Sequence, residues 1–127
     1  MLYIKETKKS VDQAFHDLEV SIKNHNFGLL HHYDFKQTLK DKGFDLANEC
    51  RVLDVCNPKQ ASEVLQLDMA INMALPCRIS IYEENGKTFI GMIPPSVMLG
   101  LISTSTELQE LARGVEQTTQ RIIDDAV

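Results

Sequence analysis

Val55-Cys56-Asn57-Pro58 and Leu75-Pro76-Cys77-Arg78 enclose the stretch of sequence that decides the fold. The β-forming residues around Val55 predict a strand, and the asparagine and proline that follow predict the N-cap and the first position of a helix. The second proline ends the helical region, because the residue before a proline avoids helical backbone angles. Alternating residues then predict another strand. Two cysteines therefore stand at junctions between predicted elements.

Long amphipathic helices flank this stretch. Ser10 to Asn24 and Thr106 to Asp124 each carry apolar residues at helical spacing on one face. Asn85-Gly86 predicts a two-residue hairpin turn, Val97 to Ile102 a short apolar turn, and Thr104 or Thr106 the cap of the last helix. Runs of strands beside long helices predict an α+β fold, with both helices on one face of an antiparallel sheet of about five strands.

Length and composition limit the classes of function. The 127 residues predict one domain, and a net charge of −5 without a Lys/Arg run argues against binding to nucleic acid or to an anionic membrane. Three cysteines are an odd number, which excludes a simple disulfide framework. The chain shows neither a signal peptide nor an apolar stretch long enough to span a bilayer. We therefore predict a cytoplasmic protein with reduced thiols.

The predicted sheet has more apolar residues than two helices on one face need. Leu30, Ile79, Ile81, Ile90 and Met92 do not fit a wholly polar outer face. We therefore expect a homodimer to cover that face, burying at least about 1,000 Å² in total. Its centre is predicted in the Ile79–Met92 hairpin or the Val97–Ile102 segment.

The motif pair Cys-Asn-Pro at Cys56–Pro58 and Leu-Pro-Cys-Arg at Leu75–Arg78, together with the order of the helices, resembles the domain of unknown function 302 family. The resemblance covers about Leu2 to Pro95. It implies a TATA-binding-protein-like α+β fold, with the order strand, helix, four strands, helix, and it implies pairing as dimers. It implies no activity. The chain has neither the basic face nor the intercalating aromatic residues that DNA binding would need.

The two motif cysteines are the main candidates for chemistry. Cys56 precedes a helix N-terminus, where the dipole favours a thiolate and should lower the thiol pKa. If the strands that end at Cys56 and begin at Cys77 are adjacent and antiparallel, the two cysteines should face each other near disulfide range, with Cα atoms ~4.4–6.8 Å apart. Cys56 should then be alkylated first. The alternative is that both thiols are small buried apolar groups, as we also expect for Cys50.

A metal site is a weaker interpretation of the same region. His31 or His32 could join Cys56 and Cys77, but neighbouring strand residues point to opposite faces, and no Cys-x-x-Cys spacing supports such a site. No cofactor is predicted. Arg78 shares one strand face with Ser80 and Tyr82, which indicates either an anion-facing patch or an ordinary exposed sheet face.

Three functions remain open. The first is a small binding module whose pocket includes the candidate residues Cys56, Asn57, Pro58, Cys77 and Arg78. The second is a thiol redox or metal-handling protein, and the third is an interaction dimer without chemistry. No phosphate-binding loop, nucleophile elbow or paired-carboxylate motif occurs, which argues against an enzyme. An apolar pocket lined by Met and Leu beside Cys56 would favour the first function, and two buried thiols without a pocket would favour the third.

Overall fold

The computed structural model describes residues 1–127 as a single sheet with helices packed against it. The strands are β1 (Tyr3–Thr7), β2 (Gly28–Asp34), β3 (Cys50–Cys56), β4 (Cys77–Glu84) and β5 (Lys87–Met92). The helices are α1 (Val11–Asn24), α2 (Phe35–Asp41), α3 (Pro58–Leu67), α4 (Pro95–Gly100) and α5 (Thr106–Ala126), with a 3₁₀ helix at Met69–Ala74. All strand pairs are antiparallel, in the order β1-β5-β4-β3-β2. The predicted α+β class and five-stranded antiparallel sheet are confirmed.

Helix starts follow from local capping groups. The Ser10 hydroxyl accepts the Gln13 backbone N–H at 3.1 Å and begins α1. The cap of α5 is Ser105, which accepts the Leu108 N–H at 3.4 Å, so the prediction of Thr104 or Thr106 was wrong by one residue. Serine and threonine cap helices in the same way, and the spacing of apolar residues does not distinguish between adjacent candidates.

The segment after β5 forms a helix where the sequence predicted a turn over Val97 to Ile102. Helix α4 instead runs from Pro95 to Gly100, with Pro94 as its N-cap. Pro95 occupies the first helical position, where its fixed φ and missing N–H are tolerated. The double proline therefore ends the sheet and also begins a helix.

The two residues Asn85 and Gly86 form the turn of the β4–β5 hairpin. Asn85 and Gly86 both have positive φ, at 54° and 76°, and they form the predicted two-residue connection between the strands. A type I′ turn requires this conformation, and Asn-Gly is a favoured sequence for it. The hairpin prediction is confirmed.

The main core lies between the sheet and the two long helices. Its buried members come from α1, from α5 and from one face of β3, β4 and β5; they include Leu18, Ile22, Leu53, Val55, Ile79, Ile81, Ile90, Met92, Ile122 and Ile123. Both long helices therefore cover the same face, as predicted. The four sheet residues Ile79, Ile81, Ile90 and Met92 were expected on the outer face, and that assignment was wrong. Strand alternation places all four on the helix side, and only Leu30 of the original set is exposed.

A second, smaller core lies beyond the sheet. It joins Val64 of α3, Ile71 of the 3₁₀ helix, Leu99 of α4, and Leu108 and Ala112 of α5. Helix α5 therefore contributes to both cores, because its C-terminal half packs on the sheet and its N-terminal half packs on the smaller helices. The candidate site lies along the boundary between these two clusters.

Candidate binding cavity

A cavity of about 480 Å³ lies where β3 ends, β4 begins and the smaller helices pack against α5. Most of the residues that line it are apolar. They are Phe27, Val52, Val55, Cys56, Ala61, Val64, Ile71, Met73, Ala74, Leu75, Cys77, Ile79, Met92, Ile93, Met98, Leu99, Ala112 and Val115, together with Pro76 and Pro95. The polar lining residues are Asn57, Gln60, Arg78, Ser80 and Thr119.

The structure brings four of the five sequence-predicted site residues to this cavity. Cys56, Asn57, Cys77 and Arg78 line it, whereas Pro58 does not and serves as the first residue of α3. The Asn57 side chain caps α3 by accepting the Gln60 N–H at 3.1 Å. The two motifs therefore meet because one begins the helix that walls the cavity and the other begins the strand beside it.

The inner walls of the cavity are apolar and buried, whereas its mouth is exposed and carries a charged residue. Val64, Ile71 and Ala112 are buried, whereas Met73 is 75% exposed and the Arg78 side chain is 67% exposed. Arg78 is the only charged residue in the lining. Its Nε lies 3.5 Å from Oδ1 of Asp54, a residue that is 6% exposed. A cation therefore stands at the entrance to an uncharged interior.

One polar atom in the cavity wall has no partner in the chain. Oε1 of Gln60 is buried and accepts no hydrogen bond from any protein group. Leaving a buried acceptor unpaired costs roughly 1–3 kcal/mol. A ligand that carries a hydroxyl or an amide N–H would recover part of this cost.

The two motif cysteines lie on adjacent strands but do not face each other. Strands β3 and β4 are antiparallel neighbours as expected, but Cys77 is paired with Val55, and Cys56 is paired with Gly28 on the other side. The facing arrangement was therefore wrong by one residue. Because side chains alternate along a strand, this shift directs the two thiols to opposite faces of the sheet at one end of the cavity.

Burial is the main cause of the pKa shifts of all three thiols. Burial, and then the nearby Cys56 thiol, raise the pKa of Cys77 to about 11. Burial also raises the pKa of Cys56 above its ordinary value, so the expected lowering by the α3 N-terminus was wrong. Burial and then the Asp34 carboxylate raise the pKa of Cys50. These thiols are largely protonated at neutral pH.

The histidines do not join the cysteines. No group of three or more His, Cys, Asp or Glu side chains is placed to hold a metal ion. His31 is paired with Asp54 and packs against the Tyr33 ring, while His32 is paired with Leu53 and packs against the Phe15 ring. The proposed combination of Cys56 and Cys77 with either histidine is therefore not formed.

Sequence reasoning missed the part of the lining that comes from later segments. Met73, Ile93, Met98, Leu99 and Thr119 line the cavity but were not among the predicted site residues. The spacing of the apolar members is the same as that of an ordinary core, so the sequence carries no signal that separates them from core residues.

The family model described as "Domain of unknown function DUF302" matches residues 3–126. The chain belongs to the DUF302 family. The match extends beyond the resemblance seen in the sequence, which stopped near Pro95, and it includes α4 and all of α5. Both helices that complete the cavity are therefore part of the DUF302 domain.

Structural comparison supports the same assignment. The DUF302 chain is similar to a crystal structure described as an uncharacterized conserved protein DUF302 from Bacillus stearothermophilus, with a TM-score of 0.95 and 30% sequence identity. The alignment covers 99% of this chain and 98% of that one. No curated protein matches the chain. None of its helices has both the length and the apolar character needed to cross a membrane.

Proposed function

We propose that this DUF302 protein is a binding module for a small, largely apolar molecule. The observation that carries the proposal is the cavity of about 480 Å³ beside Cys56, with Met73, Met98, Leu75 and Leu99 in its lining. Small-molecule sites typically have volumes of ~300–1,000 Å³, apolar walls and a few polar groups that fix orientation. The cavity has each of these properties.

The energetics of the lining favour the same class of ligand. Burying apolar surface contributes roughly 25 cal/mol per Å², so an apolar molecule gains affinity from the walls formed by Val64, Ile71 and Leu99. The unpaired Gln60 Oε1 supplies a polar contact within these walls. Such a ligand would be held by shape and apolar contact, and oriented by a few hydrogen bonds.

The two alternatives have less support. A thiol redox function needs an accessible thiolate, and burial raises the pKa of both Cys56 and Cys77. An interaction dimer without chemistry gives no reason for a cavity at the junction of the two motifs. Pairing of two copies is compatible with ligand binding, so we keep the homodimer as a separate prediction.

Filling the cavity tests the proposal. Ala61 lines the cavity from α3, and Ala61→Phe would place an aromatic ring in it. We expect the wild-type protein to bind the neutral dye Nile red with a blue-shifted emission, and Ala61→Phe to bind it more weakly by at least about tenfold, a change of ~1.4 kcal/mol. Fluorescence titration measures both affinities.

The matched control is Ala47→Phe, because Ala47 is exposed and lies outside the cavity. This variant should bind the dye like the wild type. Circular dichroism melting checks that each variant is folded, and Ala74→Phe, which fills the cavity from the 3₁₀ helix, replaces Ala61→Phe if that variant does not fold. Absence of dye binding by the wild type, or equal binding by a folded cavity-filling variant, would overturn the proposal.

A further inference from the structure

We infer that the ligand of this cavity is an amphipathic acid, with an apolar body inside the cavity and an anionic group beside Arg78 at the mouth. This inference rests on the proposed function and adds the chemical class of the ligand. It follows from where the single charge of the lining lies relative to the apolar walls.

The charge of the lining is positive although the protein as a whole is acidic. The chain has a net charge of −5, yet Arg78 is the only charged residue that lines the cavity. A neutral ligand would make no use of this cation, whose one contact with a charged group in the protein is with Asp54. An ammonium ligand would be repelled by it, because like charges brought together at a binding site are unfavourable. The local charge therefore selects an anion.

The positions of the apolar walls and of Arg78 determine how the ligand is oriented. The walls formed by Val64, Ile71 and Ala112 are buried, whereas the Arg78 side chain is 67% exposed. An apolar body entering the cavity would leave contact with water, while its head group would remain at the partly hydrated mouth. A charged group buried inside would lose its hydration without any opposite charge to compensate. The favourable arrangement is tail inward and acid outward.

The contacts of Arg78 leave it able to bind an acid. Its Nε lies toward Asp54, at 3.5 Å from Oδ1, which leaves the two terminal nitrogens to donate to a carboxylate. Asp54 holds the guanidinium at the mouth and also lowers the net positive charge there. Ser80 lies two residues along β4 on the same face and lines the cavity, so its hydroxyl is a further donor.

Ligands that share one tail separate charge from apolar contact. We would titrate the full-length protein with decanoate, decanol and decylammonium below their aggregation concentrations, using isothermal titration calorimetry. Decanoate should bind most tightly, decanol more weakly, and decylammonium weakest. Arg78→Gln should weaken decanoate binding by about tenfold and leave decanol binding unchanged, because one partly exposed charge-assisted contact is lost.

Arg113→Gln is the matched control, because Arg113 is an exposed arginine of α5 outside the cavity. It should leave decanoate binding unchanged, and Arg78→Lys should retain part of the affinity through its charge. Equal affinity for decanol and decanoate, or unchanged decanoate binding by Arg78→Gln, would overturn the acid assignment and leave the apolar cavity standing. If neither decanol nor decanoate binds, the proposed function itself fails.

Discussion

At the scale of single residues, the environment of a thiol depends on which wall of the cavity it occupies. Cys56 ends β3 and Cys77 begins β4, yet Cys77 is paired with Val55. The sequence predicts both junctions, because a strand end, an N-cap and a proline are local features. It cannot predict the register, because the long connection between the two strands permits several pairings, and a shift by one residue exchanges the two faces.

The order in which the cysteines react is a prediction at this scale. At about pH 8.5, near the ordinary thiol pKa, iodoacetamide should modify Cys56 before Cys77. The reason is that burial, which is deeper for Cys77 than for Cys56, raises the pKa of Cys77 to about 11. A raised pKa means less thiolate at a given pH and slower alkylation. Peptide mapping by mass spectrometry measures the two rates.

The control for this experiment is the same labelling in denaturant, where both thiols should react at similar rates. Faster labelling of Cys77 than of Cys56 in the folded protein would contradict the prediction. Any difference between the two alkylation rates that disappears in denaturant comes from the folded structure, because unfolding removes the burial that raises the two pKa values.

At the scale of elements, local signals predict most of the structure. Asn57-Pro58 places the start of α3 correctly, and Asn85-Gly86 places the hairpin, because each acts on its own backbone. The start of α4 was missed because Pro95 is compatible with both the end of a sheet and the first turn of a helix. Period-two alternation indicates that a strand has two faces, but the packing of α1 and α5 decides which one is covered.

A hydrogen bond joins β1 to α5 and makes stability depend on pH. The Tyr3 hydroxyl donates to Asp124 Oδ1 at 2.6 Å. Burial and then this hydrogen bond raise the pKa of Tyr3 from 10.0 to about 12. The folded state therefore holds the phenol proton more tightly than the unfolded state does. Its contribution to stability is fully present below pH 10 and is lost as the pH rises toward 12.

The test compares the wild type with Tyr3→Phe across this window. The free energy of unfolding, measured with urea, should fall more steeply with rising pH for the wild type than for Tyr3→Phe, because the variant lacks the titrating group. Tyr33→Phe is the control, since Tyr33 packs against His31 on the exposed side of β2. Parallel pH profiles for the wild type and Tyr3→Phe would refute the role of this bond.

At the scale of the whole molecule, the cavity arises because the two cores do not merge completely. The larger core joins the sheet to α1 and α5, and the smaller one joins α3, α4 and α5. The cavity walls include Phe27, which lies just before β2, and α5 residues such as Thr119, which are far apart in sequence. No local sequence pattern encodes such a gap. The sequence therefore predicted the two motifs that border the cavity but not the volume or the polarity of the cavity.

Self-association remains a prediction at this scale. Of its two predicted centres, the Val97–Ile102 segment is untested and the Ile79–Met92 hairpin needs revision. Ile79, Ile81, Ile90 and Met92 are buried within one copy, so they cannot form the middle of an interface. Tyr3 reaches α5, which places its neighbour Ile4 on the opposite face of the sheet. Ile4 packs over Gly91, where an added Cβ would approach Ile4 Cγ1 to 2.9 Å. This face is the one that a second copy would cover.

Ile4→Glu tests the revised interface. Ile4 is 41% exposed in one copy, and Val20 of α1, at 48%, is a control of similar exposure on a different surface. We expect the wild type and Val20→Glu to be dimers at micromolar concentration, because an interface of about 1,000 Å² supports stable pairing. Ile4→Glu should be a monomer, since a buried unpaired carboxylate would oppose association. Light scattering after size-exclusion chromatography measures the masses, and a monomeric wild type or a dimeric Ile4→Glu would show that this face is not the interface.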